Sequence, residues 1–192
     1  MSFNPTRRLV VGISGSSGAI YGLRLLRALK ATDLEVHLVI TPTGWLNLRH
    51  ETGLTDAEAL KLAHTLHAST NLAASIASGS FQTLGMVVAP CSMRTLAAIA
   101  HGLGDNLLTR AADVTLKERR RLILMTRESP LSLIHLRNMA AATEAGAIIC
   151  PPVPAFYQRP SSVDELVDHG IARVLDLLQV PHSLAPVWEG GF

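Results

Sequence analysis

No stretch of this 192-residue chain comes near the roughly 18 consecutive apolar residues that a membrane-spanning helix requires. The first residues, MSFNPTRRLVVG, have no cleavable signal pattern and pass straight into a strand-like run, so the expected location is the cytoplasm. Cysteine is scarce. Cys91 and Cys150 are the only two, each follows an apolar run, and neither has zinc-ligand spacing, so free thiols and no metal are expected. An excess of one charge is also lacking: 17 Lys and Arg against 15 Asp and Glu leave +2, too little to argue for nucleic acid. The one basic cluster, Lys117–Arg121, serves equally well as a helix C-terminus complementing its own dipole. Internal repeats and low-complexity linkers are absent.

What the chain does have is apolar surface. Hydrophobic residues make up 48% and mean hydropathy is +0.28, enough for a single domain over residues 1–192 with apolar area left over for a homo-oligomer. Five strand-like runs recur, at 8–14, 35–41, 85–91, 121–126 and 147–150. Helical spacing fills the intervals: AIYGLRLLRALK, EALKLAHTLH (58–67), MRTLAAIAHG, NLLTRAADVTLKER, SLIHLRNMAAATEAG and VDELVDHGIARVLDLL. Continuous apolar strands alternating with amphipathic helices predict a doubly wound α/β fold, a parallel sheet in a Rossmann- or flavodoxin-like three-layer sandwich. Residues 179–192, with Pro181, Pro186 and Trp188, read as an extended tail that packs on its own domain or a neighbour.

In such a sheet the carboxyl ends of the strands carry the site. Gly12, Gly15 and Gly18 fall between a strand and a helix, where Ser16 and Ser17 add hydroxyls and a helix N-terminus offers amides to a phosphate. The spacing is not the dinucleotide one, and Thr41 rather than an acidic residue ends the second strand, which favours a mononucleotide over NAD. Ser92 and Thr95 open the next helix, as caps or as partners of a polar ring edge. Arg110 and Lys117 share a helix face, Arg127 follows in a loop and Arg173 sits in the last helix. Singly each reads as solvated surface charge; converging, they suit a phosphate. The proline-rich loops RESPLS and PPVPAFY hold Arg127, Glu128 and Tyr157 near strand ends, fitting an anionic reaction. His64 and His67 read as an exposed helix face, and Glu51 is mute alone.

Taken together, GISGSSGAIYGLRLL, SGSFQTLGMVVAPCSMRTL, LTRAADVTLKERR, RESPLSLIHLRNM and PPVPAFYQRPSSVDELVDHGIARVLD resemble the UbiX-type flavin prenyltransferases from about Leu9 to Trp188. The resemblance implies transfer of a dimethylallyl group from dimethylallyl monophosphate to reduced FMN, first at N5 and then at C6. The product, prenylated FMN, would serve a UbiD-type decarboxylase. It also implies no metal, and a homododecamer with shared sites. By this resemblance Gly15, Ser16, Ser17, Thr41, Ser92, Thr95 and Arg127 are FMN-binding residues, and Arg110, Lys117, Tyr157 and Arg173 hold the dimethylallyl phosphate. Ser17, Glu51, Lys117 and Glu128 carry the catalysis. The segment TPTGWLNL departs from the family's usual Ser-Lys-Ala-Ala: Pro42 removes an amide and Trp45 adds bulk. Two alternatives stand beside this reading, a flavin-dependent cysteine decarboxylase and a non-catalytic FMN-carrying subunit.

Overall fold

A computed structural model describes residues 7–186 and 190. Six strands form among the described residues, in chain order β1 (Arg8–Ile13), β2 (Glu35–Ile40), β3 (Thr65–His67), β4 (Gly85–Cys91), β5 (Arg121–Thr126) and β6 (Ala147–Ile149). All pairs are parallel and the sheet order is β3-β2-β1-β4-β5-β6. The chain therefore begins mid-sheet, builds outward to β3, then crosses back to β4 and builds the other way. The order reverses between β1 and β4, and a crevice opens there at the strands' carboxyl ends.

The helices are α1 (Ala19–Leu29), α2 (Pro42–Thr52), α3 (Asp56–Leu60), α4 (Met93–Ala100), α5 (Leu107–Lys117), α6 (Leu133–Glu144) and α7 (Val163–Leu178). Alternate residues of the strands feed two separate cores. Leu9, Val11 and Ile13 of β1 pack with Leu25 and Leu26 of α1 and Ile171 and Leu175 of α7. Val10 of β1 and Val88 of β4 pack with Leu96 of α4, Leu108 of α5 and Ala142 of α6. Burial on both faces is why these strands are apolar throughout rather than alternating. The expected three-layer α/β sandwich is thus the observed one. Val180 and Leu184 of the tail pack on the first core, whereas Trp188 lies outside the described residues.

Residues 58–67 do not form the expected helix. The helix α3 stops at Leu60 and Thr65–His67 becomes the edge strand β3, with Thr65 opposite His37 and His67 opposite Val39. Contacts far apart in sequence override local spacing here. The Val36 amide donates to His64 Nδ1 at 3.0 Å, and His37 Nδ1 lies 2.9 Å from His67 Nε2. These histidines anchor an edge strand instead of lining an exposed helix. Segment 42–52, which carried no helical expectation, is α2. Pro42 sits in its first turn, where a missing N–H costs nothing, and Thr41 caps it by accepting from the Gly44 amide at 3.1 Å.

Burial pushes the His37 and His67 imidazoles below their ordinary value of 6.5, although the Glu35 carboxylate beside His37 opposes the shift. The neutral rings are the folded form, so their contribution is complete above that value and is lost as pH falls through the depressed ones. Thermal unfolding should therefore show a midpoint that drops on acidification below about pH 6.5. His67→Gln, which can bond His37 but not titrate, should flatten that drop; an unchanged slope would place the acid sensitivity elsewhere.

Candidate active site at the sheet reversal

The crevice is built around Ser14, which follows β1 and is fully buried. Its hydroxyl donates to the Pro90 carbonyl at 2.9 Å and accepts from the Ser92 amide at 2.8 Å, while its own amide also donates to the Pro90 carbonyl. The loops after β1 and β4 are thereby tied across the reversal. Pro90 can sit inside a strand because the β4–β5 register is irregular between Val88 and Cys91, leaving its missing N–H without a ladder position to fill. Cys91 is fully buried and burial pushes its thiol up, so it is a packed thiol and not a nucleophile.

Four of the predicted flavin residues, Gly15, Thr41, Ser92 and Thr95, line one cleft of about 370 Å³. Gly15 is required by close approach, since a Cβ there would lie 2.7 Å from Thr43 Cβ. The amides of Gly15, Ser16 and Ser17 engage no partner among the described residues, and the Ser16 hydroxyl is buried with none. Ser92 caps α4 by accepting from the Thr95 amide and donates its hydroxyl to Thr95 Oγ1 at 3.1 Å. A cradle of amides and hydroxyls beside an unfilled glycine surface fits a phosphorylated, ring-bearing ligand such as FMN.

Glu51 is not mute in three dimensions. From the last turn of α2 its carboxylate accepts the Gly18 and Ala19 amides at 2.9 and 2.8 Å, capping α1 in place of a local residue. Gly18, at φ 100°, supplies the left-handed turn that aims those amides. The first amides of α1 are thus spent on a carboxylate, and the three unpartnered ones lie just upstream. Ser17, exposed, adjoins this cap. Beyond β5, the Arg127 amide donates to the Cys91 carbonyl at 3.1 Å, and Glu128 accepts from the Ser129 amide at 3.0 Å. The Arg127 charge pulls down the Tyr21 phenol, which burial pushes up more strongly.

The phosphate set divides in two. Tyr157 and Arg173 line a cavity of about 280 Å³ together with His169, Asp176 and His182. Arg110 and Lys117 lie on α5 and are not among its lining residues; Arg110 pairs with Asp113 at 2.7 Å and Lys117 with Glu118. Arg173 likewise pairs with Asp176 at 2.6 Å. Tyr21, which the sequence reading passed over, joins α1 to α7: its ring would meet a Cβ on Gly170 at 3.3 Å, and Arg127 is its charged neighbour.

Other residues of the cleft also escaped sequence reading. Ser69 follows β3 and lines the cleft beside Arg94 and Asn106. Recognising β3 would have put Ser69 on the ligand edge. Asn106, three residues before Thr109, carries a local capping pattern, and both capping bonds form. Nothing local signals the Glu51 cap, which spans 33 residues.

Residues 2–182 match the family described as Flavoprotein, the class that the sheet order and the cleft define. The Flavin prenyltransferase UbiX of Escherichia coli K12 is 54% identical over 187 residues, covering 96% of this chain and 99% of the relative. A crystal structure of AnUbiX in complex with FMN and dimethylallyl pyrophosphate superposes with a TM-score of 0.95 at 45% identity, covering 97% of this chain and 100% of that one. The dodecameric FMN-dependent UbiX-like decarboxylase from Escherichia coli O157:H7 gives 0.93 at 46%, covering 95% and 100%. The chain belongs to the UbiX-type flavin prenyltransferases. Peptidyl-cysteine decarboxylase EpiD, at 17% identity and a TM-score of 0.63, shares the fold alone.

Ser14→Ala should destabilise the protein by about 1–3 kcal/mol, because it strands a buried amide. The measurement is urea unfolding; a loss below about 0.5 kcal/mol, the level of an ordinary surface change, would mean that the tie is dispensable.

Proposed function

We propose that this chain transfers a dimethylallyl group from dimethylallyl monophosphate to reduced FMN, at N5 and then C6, without a metal. The observation that carries the reading is the cleft at the sheet reversal, where unpartnered amides, a buried unpartnered Ser16 hydroxyl and a Gly15 surface meet. FMN is bound as its counterpart is in the AnUbiX complex, whose chain is 45% identical. When bound, reduced FMN supplies the electron-rich ring positions that accept the prenyl carbons.

Gly15, Ser16, Ser17, Thr41, Ser92, Thr95 and Arg127 form the flavin set in this reading. Thr41 accepts the Gly44 amide while remaining on the cleft wall, so the Pro42 and Trp45 departure is accommodated by a well-capped helix. Arg110, Lys117, Tyr157 and Arg173 hold the phosphate, and their charge favours its departure and the allylic cation left behind. Glu51, fixed by two amides next to Ser17, would supply a carboxylate to the reaction, and Glu128 would supply a second. A water-poor pocket keeps the cation from being trapped.

The assembly proposed is a homododecamer. Leu133, Ile134, Val153, Phe156 and Val163 are all exposed around the β5 and β6 loops, and the solved Escherichia coli O157:H7 relative is dodecameric. Neighbouring subunits would cover this apolar surface, with the tail at the interface, and bring α5 cations to a partner's phosphate. One domain spanning residues 1–192, a cytoplasmic location and delivery of prenylated FMN to a UbiD-type decarboxylase complete the reading. Among the described residues no helix is long and apolar enough to cross a membrane.

Anaerobic incubation with reduced FMN and dimethylallyl monophosphate should yield a flavin heavier by the five-carbon unit in mass spectrometry; an unchanged flavin mass would overturn the reading. A cysteine decarboxylase or a carrier subunit would bind FMN and leave its mass unaltered. Lys117→Ala and Arg173→Ala should each raise KM for the prenyl phosphate by about tenfold or more, the scale of one charge-assisted hydrogen bond, while FMN affinity holds. Parallel loss of FMN binding would move those residues into the flavin set.

A further inference from the structure

We propose that His182 is a positioning residue for Arg173, acting through Asp176 so that part of the guanidinium stays open to an anion in the cavity they line. The proposal rests on reading that cavity as the prenyl-phosphate site. Arg173 and Asp176 stand one turn apart on α7, whereas His182 comes from the tail beyond it. Asp176 is already the counter-ion of Arg173: its Oδ2 accepts from Nη1 at 2.6 Å. Its other oxygen, Oδ1, lies 2.9 Å from His182 Nε2. Val180 and Leu184, on either side of the histidine, seat this part of the tail on the first core.

Hydrogen counting fixes the direction of each bond. The Leu184 amide donates to His182 Nδ1 at 3.3 Å, so that nitrogen keeps its lone pair. The proton of the neutral imidazole is therefore on Nε2 and is given to Asp176. Burial raises the Asp176 carboxyl, but the bonds from His182 and Arg173 more than offset this and hold it below the ordinary carboxylate value. Asp176 is thus a carboxylate with one oxygen committed to each partner. Elsewhere, aspartates without a third partner take arginine through both oxygens. Asp168 accepts from Nε and Nη2 of Arg24, and Asp56 from the same two nitrogens of Arg49. Arg110 and Asp113, spaced like Arg173 and Asp176, make the same single contact from Nη1 to Oδ2. Spacing therefore gives the single contact. The histidine adds a hold on the second oxygen, which keeps the carboxylate from turning across the guanidinium. Nε and Nη2 of Arg173 have no partner among the described residues. Balancing the charge of Arg173 leaves these donors in place, and they suit two oxygens of one phosphate.

The test uses the full-length protein, reduced FMN and dimethylallyl monophosphate. His182→Leu should raise KM for the prenyl phosphate about tenfold, the worth of one charge-assisted hydrogen bond diverted to Asp176, with FMN affinity unchanged. His182→Gln, which can accept the Leu184 amide and still donate to Asp176, should recover most of that loss. In an Asp176→Ala background His182→Leu should have no further effect, because its action passes through the carboxylate. A histidine that only seats the tail would carry an equal penalty in both backgrounds. That result, an unaltered KM, or a parallel fall in FMN affinity would overturn the assignment. Calorimetric titration with inorganic phosphate, which needs no turnover, separates this proposal from the reading beneath it. Phosphate binding that His182→Leu weakens only when Asp176 and Arg173 are both present supports the positioning role, even if the wild type leaves flavin mass unchanged. Phosphate binding indifferent to His182 sinks the proposal, and a heavier flavin from the same protein would leave the prenyl transfer standing.

Discussion

The Ser14 hydroxyl is the tie on which the site's geometry depends. It gives its proton to the Pro90 carbonyl near the end of β4 and takes the amide of Ser92 just beyond that strand, so the two halves of the sheet are pinned at the point where they diverge. A hydroxyl suits the task because it donates and accepts at once, and full burial denies both partners any water as a substitute. From that pin the Gly15–Ser17 turn leads one way and the Ser92 cap of α4 the other. The cleft between them is what remains when two strand ends are held together while their connections separate.

Around the pin, each polar element serves the fold and leaves a remainder for chemistry. Ser92 caps a helix and faces the cleft; Thr41 does the same for α2. Glu51 closes the start of α1 and so stands beside Ser17 with a fixed orientation. Such double duty makes the geometry stiff, since moving a site residue would also uncap a helix. It also explains how TPTGWLNL is tolerated: the proline occupies a helical position that needs no amide.

The sheet was legible because strands buried on both faces carry an unmistakable apolar run, and five of the six were readable that way. β3 was hidden, since three residues with histidine at one end resemble a helix tail, and only its pairing with β2 makes it a strand. The cleft at the sheet reversal was likewise legible: Gly15, Thr41, Ser92 and Thr95, all read at strand ends, line it together. Spacing supplied an anion, but the prenyl group entered only through family resemblance. Contacts such as Glu51 with α1, Tyr21 with Arg127, and Tyr157 with His169 join separate elements and leave no local trace.

The cations assigned to phosphate each arrive with a counter-ion from their own helix: Asp113 for Arg110, Glu118 for Lys117 and Asp176 for Arg173. Such a protomer casts little long-range field, in keeping with its near-balanced total charge. On the proposed assignment, an incoming dianion would be met by exchange of partners at close quarters rather than by attraction across solvent. Discrimination would then fall to shape and hydrogen-bond direction, and other cellular phosphates would be sampled and released rather than gathered in.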